Sequence, residues 1–123
     1  MNKFCALLID DEEELVSTLT ERLEFRGIEA EYAVSGSEAI AKMRTKPYDV
    51  VVVDMKMPGL SGLDLVKILQ KEHPSLPIIM ITGHGAPADE QVEIPAGVFD
   101  YLPKPVSIEV LIKKMSEAVG GKA

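Results

Sequence analysis

The 123-residue sequence lacks three features that would each define a class of protein. Its single cysteine, Cys5, excludes an internal disulfide and a cysteine-rich metal site. No apolar run approaches the ~18 residues that a transmembrane helix needs. Residues 1–4 have neither the length nor the cleavage pattern of a secretory signal peptide. We therefore expect a soluble, cytoplasmic protein.

Positive charge is also scarce. Thirteen lysines and arginines face 20 aspartates and glutamates, which gives a formal net charge of −7. This charge repels nucleic acid and anionic membranes, so we expect no direct binding to either. A hydrophobic content of 46% over this length suits one globular domain spanning residues 1–123.

Five short apolar runs, rich in branched residues, predict five β-strands. Four of them show little polar alternation, which is typical of strands that are buried on both faces. The second run alternates, which favours a position nearer the edge of a sheet. The runs are 4–9, 28–34, 50–53, 78–81 and 98–102.

Amphipathic stretches after each run predict five helices. Leu15, Leu19 and Leu23 recur every four residues and predict the buried stripe of the first helix, which Gly27 would end. The fourth helix, within 86–97, has the weakest pattern because prolines interrupt it. The predicted N-caps of the second, third and fifth helices are Ser35, Ser61 and Ser107.

The strict alternation of strands and helices predicts an α/β fold, with a parallel sheet covered by helices on both faces. In such sheets, ligands bind outside the carboxyl ends of the strands. The residues at these ends carry three carboxylates, one hydroxyl and one ammonium group. They are Asp10, Asp11, Asp54, Thr82 and Lys104.

Carboxylates gathered at one edge repel one another, by about 4 kcal/mol for a pair ~4 Å apart at an effective dielectric of 20. Lys104 can offset one charge, and the remainder favours a divalent cation such as Mg²⁺, which prefers oxygen ligands. A carboxylate beside Mg²⁺ can attack phosphorus. Asp10 and Asp11 could also simply favour the N-terminus of the first helix, as we expect for Glu12.

Four motifs carry a family resemblance. They are Leu8-Ile9-Asp10-Asp11-Glu12, the segment 53–59 with Gly62, the segment 81–85, and Asp100-Tyr101-Leu102-Pro103-Lys104-Pro105. With these motifs in this order, the chain resembles the response regulator receiver domains of two-component signalling over residues 3–119. The resemblance implies a doubly wound, flavodoxin-like (βα)5 domain with strand order 2-1-3-4-5.

The resemblance also implies a chemistry. Asp54 would accept a phosphoryl group from a sensor histidine kinase or a histidine phosphotransfer protein, and would thereby become the modified residue. Asp10, Asp11 and Asp54, with the main-chain carbonyl of Lys56, would bind Mg²⁺. The domain would catalyse only its own phosphorylation and dephosphorylation, so it would not be a turnover enzyme.

The resemblance further implies a switch. The Thr82 hydroxyl and Lys104 would contact the phosphoryl group, and Thr82 would move together with the Tyr101 ring. A plain packing role for Tyr101 stays open. The surface of the fourth helix, fifth strand and fifth helix would then change and control an output domain, an effector or a phosphorylation-dependent dimer. In receivers the bond that corresponds to Lys104-Pro105 is often cis.

Three alternatives remain at this point. A degenerate receiver would bind partners without being phosphorylated. A Mg²⁺-dependent phosphatase with an aspartate nucleophile would usually carry a second acid two residues later, where this chain has Lys56. A flavin-binding electron carrier would need a phosphate loop after the first strand, where Asp10, Asp11 and Glu12 would repel phosphate.

Overall fold

The computed structural model describes residues 4–55, 57, 59–82 and 96–120. Within them lie five strands and four helices. In chain order they are β1 (Cys5–Ile9), α1 (Glu13–Phe25), β2 (Glu29–Ala33), α2 (Gly36–Thr45), β3 (Val50–Asp54), α3 (Gly62–Glu72), β4 (Ile78–Thr82), β5 (Asp100–Pro103) and α4 (Ile108–Gly120).

The five strands form one parallel sheet in the order β2-β1-β3-β4-β5. The predicted α/β class and strand order are therefore confirmed. The alternating second run is indeed an edge strand. Glu29 is exposed, Glu31 and Tyr32 are partly exposed, and Ala30 and Ala33 are buried. β3 and β4 are buried along their whole length, as their continuous apolar sequences predicted.

Two apolar cores lie on the two faces of the sheet, because successive side chains of a strand point to opposite faces. In β1, Ala6 and Leu8 join the core beneath α1 and α4. Leu7 and Ile9 join the core beneath α2 and α3. This arrangement leaves the two ends of the sheet, rather than its faces, accessible to ligands.

The predicted helix boundaries agree with the structure at the serine caps. Ser35 Oγ accepts a hydrogen bond from the Glu38 N–H at 3.1 Å, and Ser61 Oγ accepts one from the Asp64 N–H at 3.2 Å. At the last helix the Val110 N–H points to Ser107 Oγ at 3.5 Å. Gly27 follows α1 with a φ of 85°, a left-handed conformation that favours glycine.

The predicted stripe of α1 is wrong at its first position. Leu15 is 43% exposed, and Val16 is buried in its place with Leu19, Thr20 and Leu23. A spacing of four residues advances about 40° around a helix with each step, because each residue turns it by about 100°. A leucine two steps from Leu23 therefore lies well away from the buried face.

Two further boundaries differ or stay open. β5 begins at Asp100 rather than Val98. Val98 instead packs against the core beneath α2 and α3. The predicted fourth helix in 86–97 falls mostly outside the described residues, so the helix here named α4 corresponds to the predicted fifth. Within the described part of the chain, every helix is too short or too polar to cross a bilayer.

Candidate functional site

Asp54 is the last residue of β3 and lies at the centre of the carboxyl edge of the sheet. It is only 2% exposed. Its register partner in β4 is Ile81, whose carbonyl accepts a hydrogen bond from the Met55 N–H at 2.9 Å. This hydrogen bond continues the pairing with β4 to the residue after Asp54 and holds the end of β3 in place.

The start of α3 packs tightly behind this strand end. The Gly62 N–H donates to the Met55 carbonyl at 3.2 Å. A Cβ at Gly62 would lie 2.4 Å from the Asp54 carbonyl oxygen and 2.6 Å from Met55 Cα. Only glycine fits there without movement of the backbone, so Gly62 fixes how the loop after Asp54 returns to the helix.

Asp10 follows β1 at the same edge. Its N–H donates to the Ala33 carbonyl at 3.0 Å, which extends the pairing with β2 by one residue. Its Oδ1 accepts a hydrogen bond from the Glu12 N–H at 2.9 Å, so its carboxylate orientation is fixed by the main chain that leads into α1. Asp10 is 5% exposed.

The loop after β5 supplies the cation. The Lys104 N–H donates to the Thr82 carbonyl at 3.1 Å, which ties the loop to the end of β4. The Thr82 hydroxyl is buried and donates to the Leu102 carbonyl at 3.4 Å. The Lys104-Pro105 peptide bond is cis, as the resemblance implied.

Lys104 joins three carboxylates. Its Nζ lies 2.8 Å from Glu12 Oε1, 3.1 Å from Asp54 Oδ2 and 3.2 Å from Asp10 Oδ2. Oxygens of Asp10, Glu12 and Asp54 also lie within 4.8 Å of one another. We call Asp10, Glu12, Asp54 and Lys104 the acidic cluster. It carries three negative charges against one positive charge.

Burial and charge act in opposite directions on the pKa values in this cluster. Burial, followed by the negative charge of Asp54, raises the pKa of Asp10, and the Glu12 N–H and Lys104 oppose this rise. For Lys104, burial lowers the pKa. The hydrogen bonds to Glu12 and Asp54, with the charge of Asp10, outweigh burial and raise its pKa above the usual value. Lys104 is therefore a permanent cation.

The donor chemistry of the cluster fits magnesium. Its three acids offer oxygen ligands that lie within 4.8 Å of one another, and one ammonium leaves an excess of negative charge that a divalent cation would balance. Asp10, Glu12 and Asp54 are among the residues that would hold the ion.

The cluster agrees only in part with the predicted ligand set. The structure brings together Asp10, Asp54 and Lys104. It leaves Asp11 exposed, outside the group of carboxylates that approach one another. Glu12 lies in the cluster, although its sequence position predicts only an acid that favours the N-terminus of the helix. The sequence feature that could have indicated this role of Glu12 is its position two residues after Asp10 in the same motif. Lys56 lies outside the described residues.

Tyr101 lies on the exposed side of β5. Its ring is 42% exposed, and its N–H donates to Asp100 Oδ1 at 2.7 Å. Asp100 Oδ2 is paired with Lys114 Nζ of α4 at 2.9 Å. The predicted switch residue is therefore at the surface, whereas Asp100 before it points to the opposite face of β5 and contacts the last helix.

A groove of about 410 Å³ opens beside the acidic cluster, between α1 and the loop after β5. The half-exposed Leu15 lies on its α1 side, and Glu12 and Lys104 lie at its end. The rest of its apolar lining is Leu19, Ile81, Pro105 and Val106.

Comparison with known proteins gives consistent matches. The family model of the response regulator receiver domain matches residues 6–116. The chain is 34% identical over 122 residues to the DNA-binding transcriptional regulator NtrC of Klebsiella pneumoniae, covering 97% of this chain and 25% of that protein. It is 34% identical over 119 residues to the response regulator protein PilR of Pseudomonas aeruginosa, covering 97% of this chain and 27% of that protein.

Solved structures agree. A response regulator receiver domain protein from Clostridium thermocellum superposes with a TM-score of 0.86 at 34% identity, over 97% of this chain and 96% of that one. NtrX from Brucella abortus gives a TM-score of 0.87 at 28% identity, over 98% of this chain and 28% of that one.

The chain spans 25% to 47% of the length of the first curated relatives it matches. Those relatives are named as regulators of transcription or response regulators, so they give no support to the expectation that the protein avoids nucleic acid. That expectation stays a prediction for this segment alone. Sheet order, acidic cluster and family match agree, and the chain belongs to the response regulator receiver domain family.

Proposed function

We propose that residues 1–123 act as a phosphoacceptor receiver domain in which Asp54 is the modified residue. The observation that carries this proposal is the approach of Lys104 Nζ to within 3.1 Å of the buried Asp54 Oδ2, in a cluster that fits Mg²⁺. A sensor histidine kinase or a histidine phosphotransfer protein would be the phosphodonor. Cytoplasmic location follows as part of the same proposal.

The transfer is a displacement at phosphorus, in which Asp54 replaces the imidazole of the donor. An Asp54 carboxylate oxygen attacks phosphorus, and a new O–P bond forms while the N–P bond of the donor's phosphohistidine breaks. The electron pair of the broken bond goes to the imidazole nitrogen, which takes a proton from water. Hydrolysis of the resulting acyl phosphate by water returns Asp54 and phosphate, so the domain acts on itself rather than turning over a substrate.

Lys104 and Thr82 would stabilise the transferred group. The ammonium of Lys104 lies beside the Asp54 carboxylate that attacks phosphorus, and it can donate hydrogen bonds to phosphoryl oxygens. The Thr82 hydroxyl donates to the Leu102 carbonyl and would have to turn to reach the phosphoryl group. If the Thr82 hydroxyl turned away, β5 would lose this hydrogen bond at Leu102, the residue next to Tyr101.

Magnesium, when bound, would neutralise charge on the carboxylates and on the phosphoryl oxygens. Asp10, Asp54 and Glu12 are the ligands favoured by the cluster, and we retain Asp11 and the Lys56 carbonyl as proposed ligands. Substitution of Asp11 by asparagine, followed by direct Mg²⁺ titration, separates these sets. An unchanged affinity would remove Asp11 from the set.

A phosphodonor whose imidazole reaches Asp54 has to approach the acidic cluster, and Leu15 lines the groove beside that cluster. We therefore propose that the partner contacts Leu15 on α1. Leu15→Arg should slow transfer from the partner and leave transfer from acetyl phosphate unchanged. Val110→Arg, at an equally exposed apolar position of α4, is the matched control. Equal effects of the two substitutions would argue against this surface.

Output would run through the surface around Tyr101, β5 and α4, together with the predicted fourth helix. Its target would be an output domain, an effector protein or a second copy of the domain. Phosphorylation should lower the exposure of Tyr101 if the ring turns inward. A Tyr101 ring whose NMR signals do not respond to phosphorylation would favour the packing role.

Intact-mass spectrometry tests the main proposal. Acetyl phosphate with Mg²⁺ should add one phosphoryl group to the wild-type chain, and EDTA should prevent it. Asp54→Asn should abolish the adduct, whereas Asp64→Asn, an exposed aspartate on α3, should leave it unchanged. An undiminished adduct in Asp54→Asn refutes the assignment, and a wild-type chain that takes no phosphoryl group from any donor would be a degenerate receiver.

A further inference from the structure

Lys104 shares its ammonium among three carboxylates. Its Nζ donates hydrogen bonds to Glu12 Oε1 and Asp54 Oδ2 and forms an ion pair with Asp10 Oδ2. An ammonium carries three N–H groups. Three carboxylate oxygens, from Asp10, Glu12 and Asp54, lie 2.8 to 3.2 Å from Nζ. Phosphorylation converts the Asp54 carboxylate into an acyl phosphate, so the new phosphoryl oxygens compete with the carboxylates of Asp10 and Glu12 for the ammonium.

The three partners differ in how easily water can replace Lys104. The side chains of Asp10 and Asp54 are 7% and 3% exposed, whereas that of Glu12 is 60% exposed. A buried carboxylate that loses its cation is left in a poorly solvated environment. Glu12 loses little, because it already faces solvent, so it is the partner that can leave.

The position of Glu12 at the N-terminal end of α1 supports a specific contact with Lys104. Glu12 is the N-cap residue of the helix, yet its side chain makes no capping hydrogen bond. Side chains at this position ordinarily accept a hydrogen bond from the first turn. The carboxylate instead lies 2.8 Å from Lys104, the shortest of the three ion pairs.

We propose that Glu12 is the exchangeable counter-ion of Lys104, a positioning residue that holds the ammonium in the resting domain and releases it to the phosphoryl group. The ion pair exists before phosphorylation and is broken after it. Glu12 therefore stabilises the resting state selectively and restrains the switch. This inference rests on the proposed function of Asp54 as the phosphoacceptor.

Removal of the contact should favour the phosphoryl-bound state. At saturating Mg²⁺, Glu12→Ala should bind beryllofluoride, an analogue of the phosphoryl group, about two- to fivefold more tightly than the wild type, the range expected for a partly exposed ion pair. The rate of adduct formation with acetyl phosphate should rise in the same direction. Weaker Mg²⁺ binding by Glu12→Ala would not mask this result, because the ion is saturating.

Two further variants separate the contact from a general effect of charge. Glu12→Asp keeps the charge but is one methylene shorter, so it should behave like Glu12→Ala. In a Lys104→Ala background, Glu12→Ala should have no further effect on the adduct rate. Glu13→Gln, which removes a neighbouring exposed acid that bonds Tyr32 instead of Lys104, should match the wild type.

The outcomes distinguish the inference from the proposed function. A wild-type chain that gives no adduct overturns the role of Asp54. If the wild type is phosphorylated, three results overturn the role of Glu12. They are equal beryllofluoride affinities of wild type and Glu12→Ala, wild-type behaviour of Glu12→Asp, and an undiminished effect of Glu12→Ala in the Lys104→Ala background.

Discussion

Lys104 Nζ lies 3.1 Å from Asp54 Oδ2, although the two residues are 50 positions apart in the sequence. Asp54 ends the central strand β3, and Lys104 follows the edge strand β5. The side chain of Lys104 therefore extends from the edge strand past the end of β4. This single ion pair joins the proposed phosphoacceptor to the strand that carries Tyr101.

Substitution of Lys104 by methionine should destabilise the metal-free domain. Three carboxylates would then share the cluster without a cation, and loss of one partner of a largely buried ion pair costs about 1–3 kcal/mol. Added Mg²⁺ should stabilise the variant more than the wild type, because the ion no longer competes with an ammonium. Urea unfolding with and without Mg²⁺ measures both effects, and equal stabilisation of the two proteins would contradict the prediction.

Gly62→Ala should disturb the loop that follows Asp54. The added Cβ would lie 2.4 Å from the Asp54 carbonyl oxygen, so the backbone must move, and we expect a loss of about 1–3 kcal/mol of unfolding free energy. Adduct formation at Asp54 should slow as well.

Gly36→Ala is the matched control, because the atom nearest its Cβ would be Leu60 Cδ2 at 2.6 Å, the end of a side chain that can rotate away, rather than a backbone atom. If both alanine variants unfolded at the same urea concentration, the prediction that crowding at Gly62 destabilises the domain would be wrong.

Lys46 should give stability that depends on pH. It forms ion pairs with Glu29 and Glu31, and these hydrogen bonds are the main cause of the lowered pKa of both carboxyl groups. A lowered folded-state pKa stabilises above the unfolded value of 4.5, and this contribution is lost as the pH falls through the folded value. Lys46→Met should therefore be less stable than the wild type at neutral pH, with a gap that shrinks below pH 4.5.

Urea unfolding from pH 3 to pH 8 measures this gap. Arg44→Met is the control, because Arg44 pairs with Glu72 on the surface with 65% of its side chain exposed. A gap between wild type and Lys46→Met that stays constant across this range would show that the ion pairs do not act through the two glutamates.

The thiol of Cys5 should be unreactive in the folded domain. Burial, together with the nearby Glu29, raises its pKa from 9.0 to about 11. The thiolate is the nucleophile, so alkylation near pH 8 should be about a hundredfold slower than for an unperturbed thiol. Iodoacetamide labelling followed by mass spectrometry checks this, with the chain unfolded in guanidinium as the fast reference. Equal rates in the folded and unfolded chain would refute it.

Much of the fold was determined by the sequence alone. Continuous apolar runs predicted buried parallel strands, and the alternating run at 28–34 predicted an edge strand, because the period of side-chain exposure is a local property. The same alternation of strands and helices predicted that Asp10, Asp11, Asp54, Thr82 and Lys104 follow strands at one edge. No long-range information was needed for that inference.

The tertiary structure decided what those residues contact. The rotation of α1 about its axis exposes Leu15 and buries Val16, and it is set by packing against the whole sheet rather than by leucine spacing. Similarly, Glu12 was expected to favour a helix N-terminus, but its long side chain reaches Lys104, 92 positions away. The sequence alone determined that Asp10, Asp54 and Lys104 meet at this edge. Only the packed sheet decided that Glu12 rather than Asp11 shares the lysine with them, because the reach of a side chain depends on where the strands and the first helix lie.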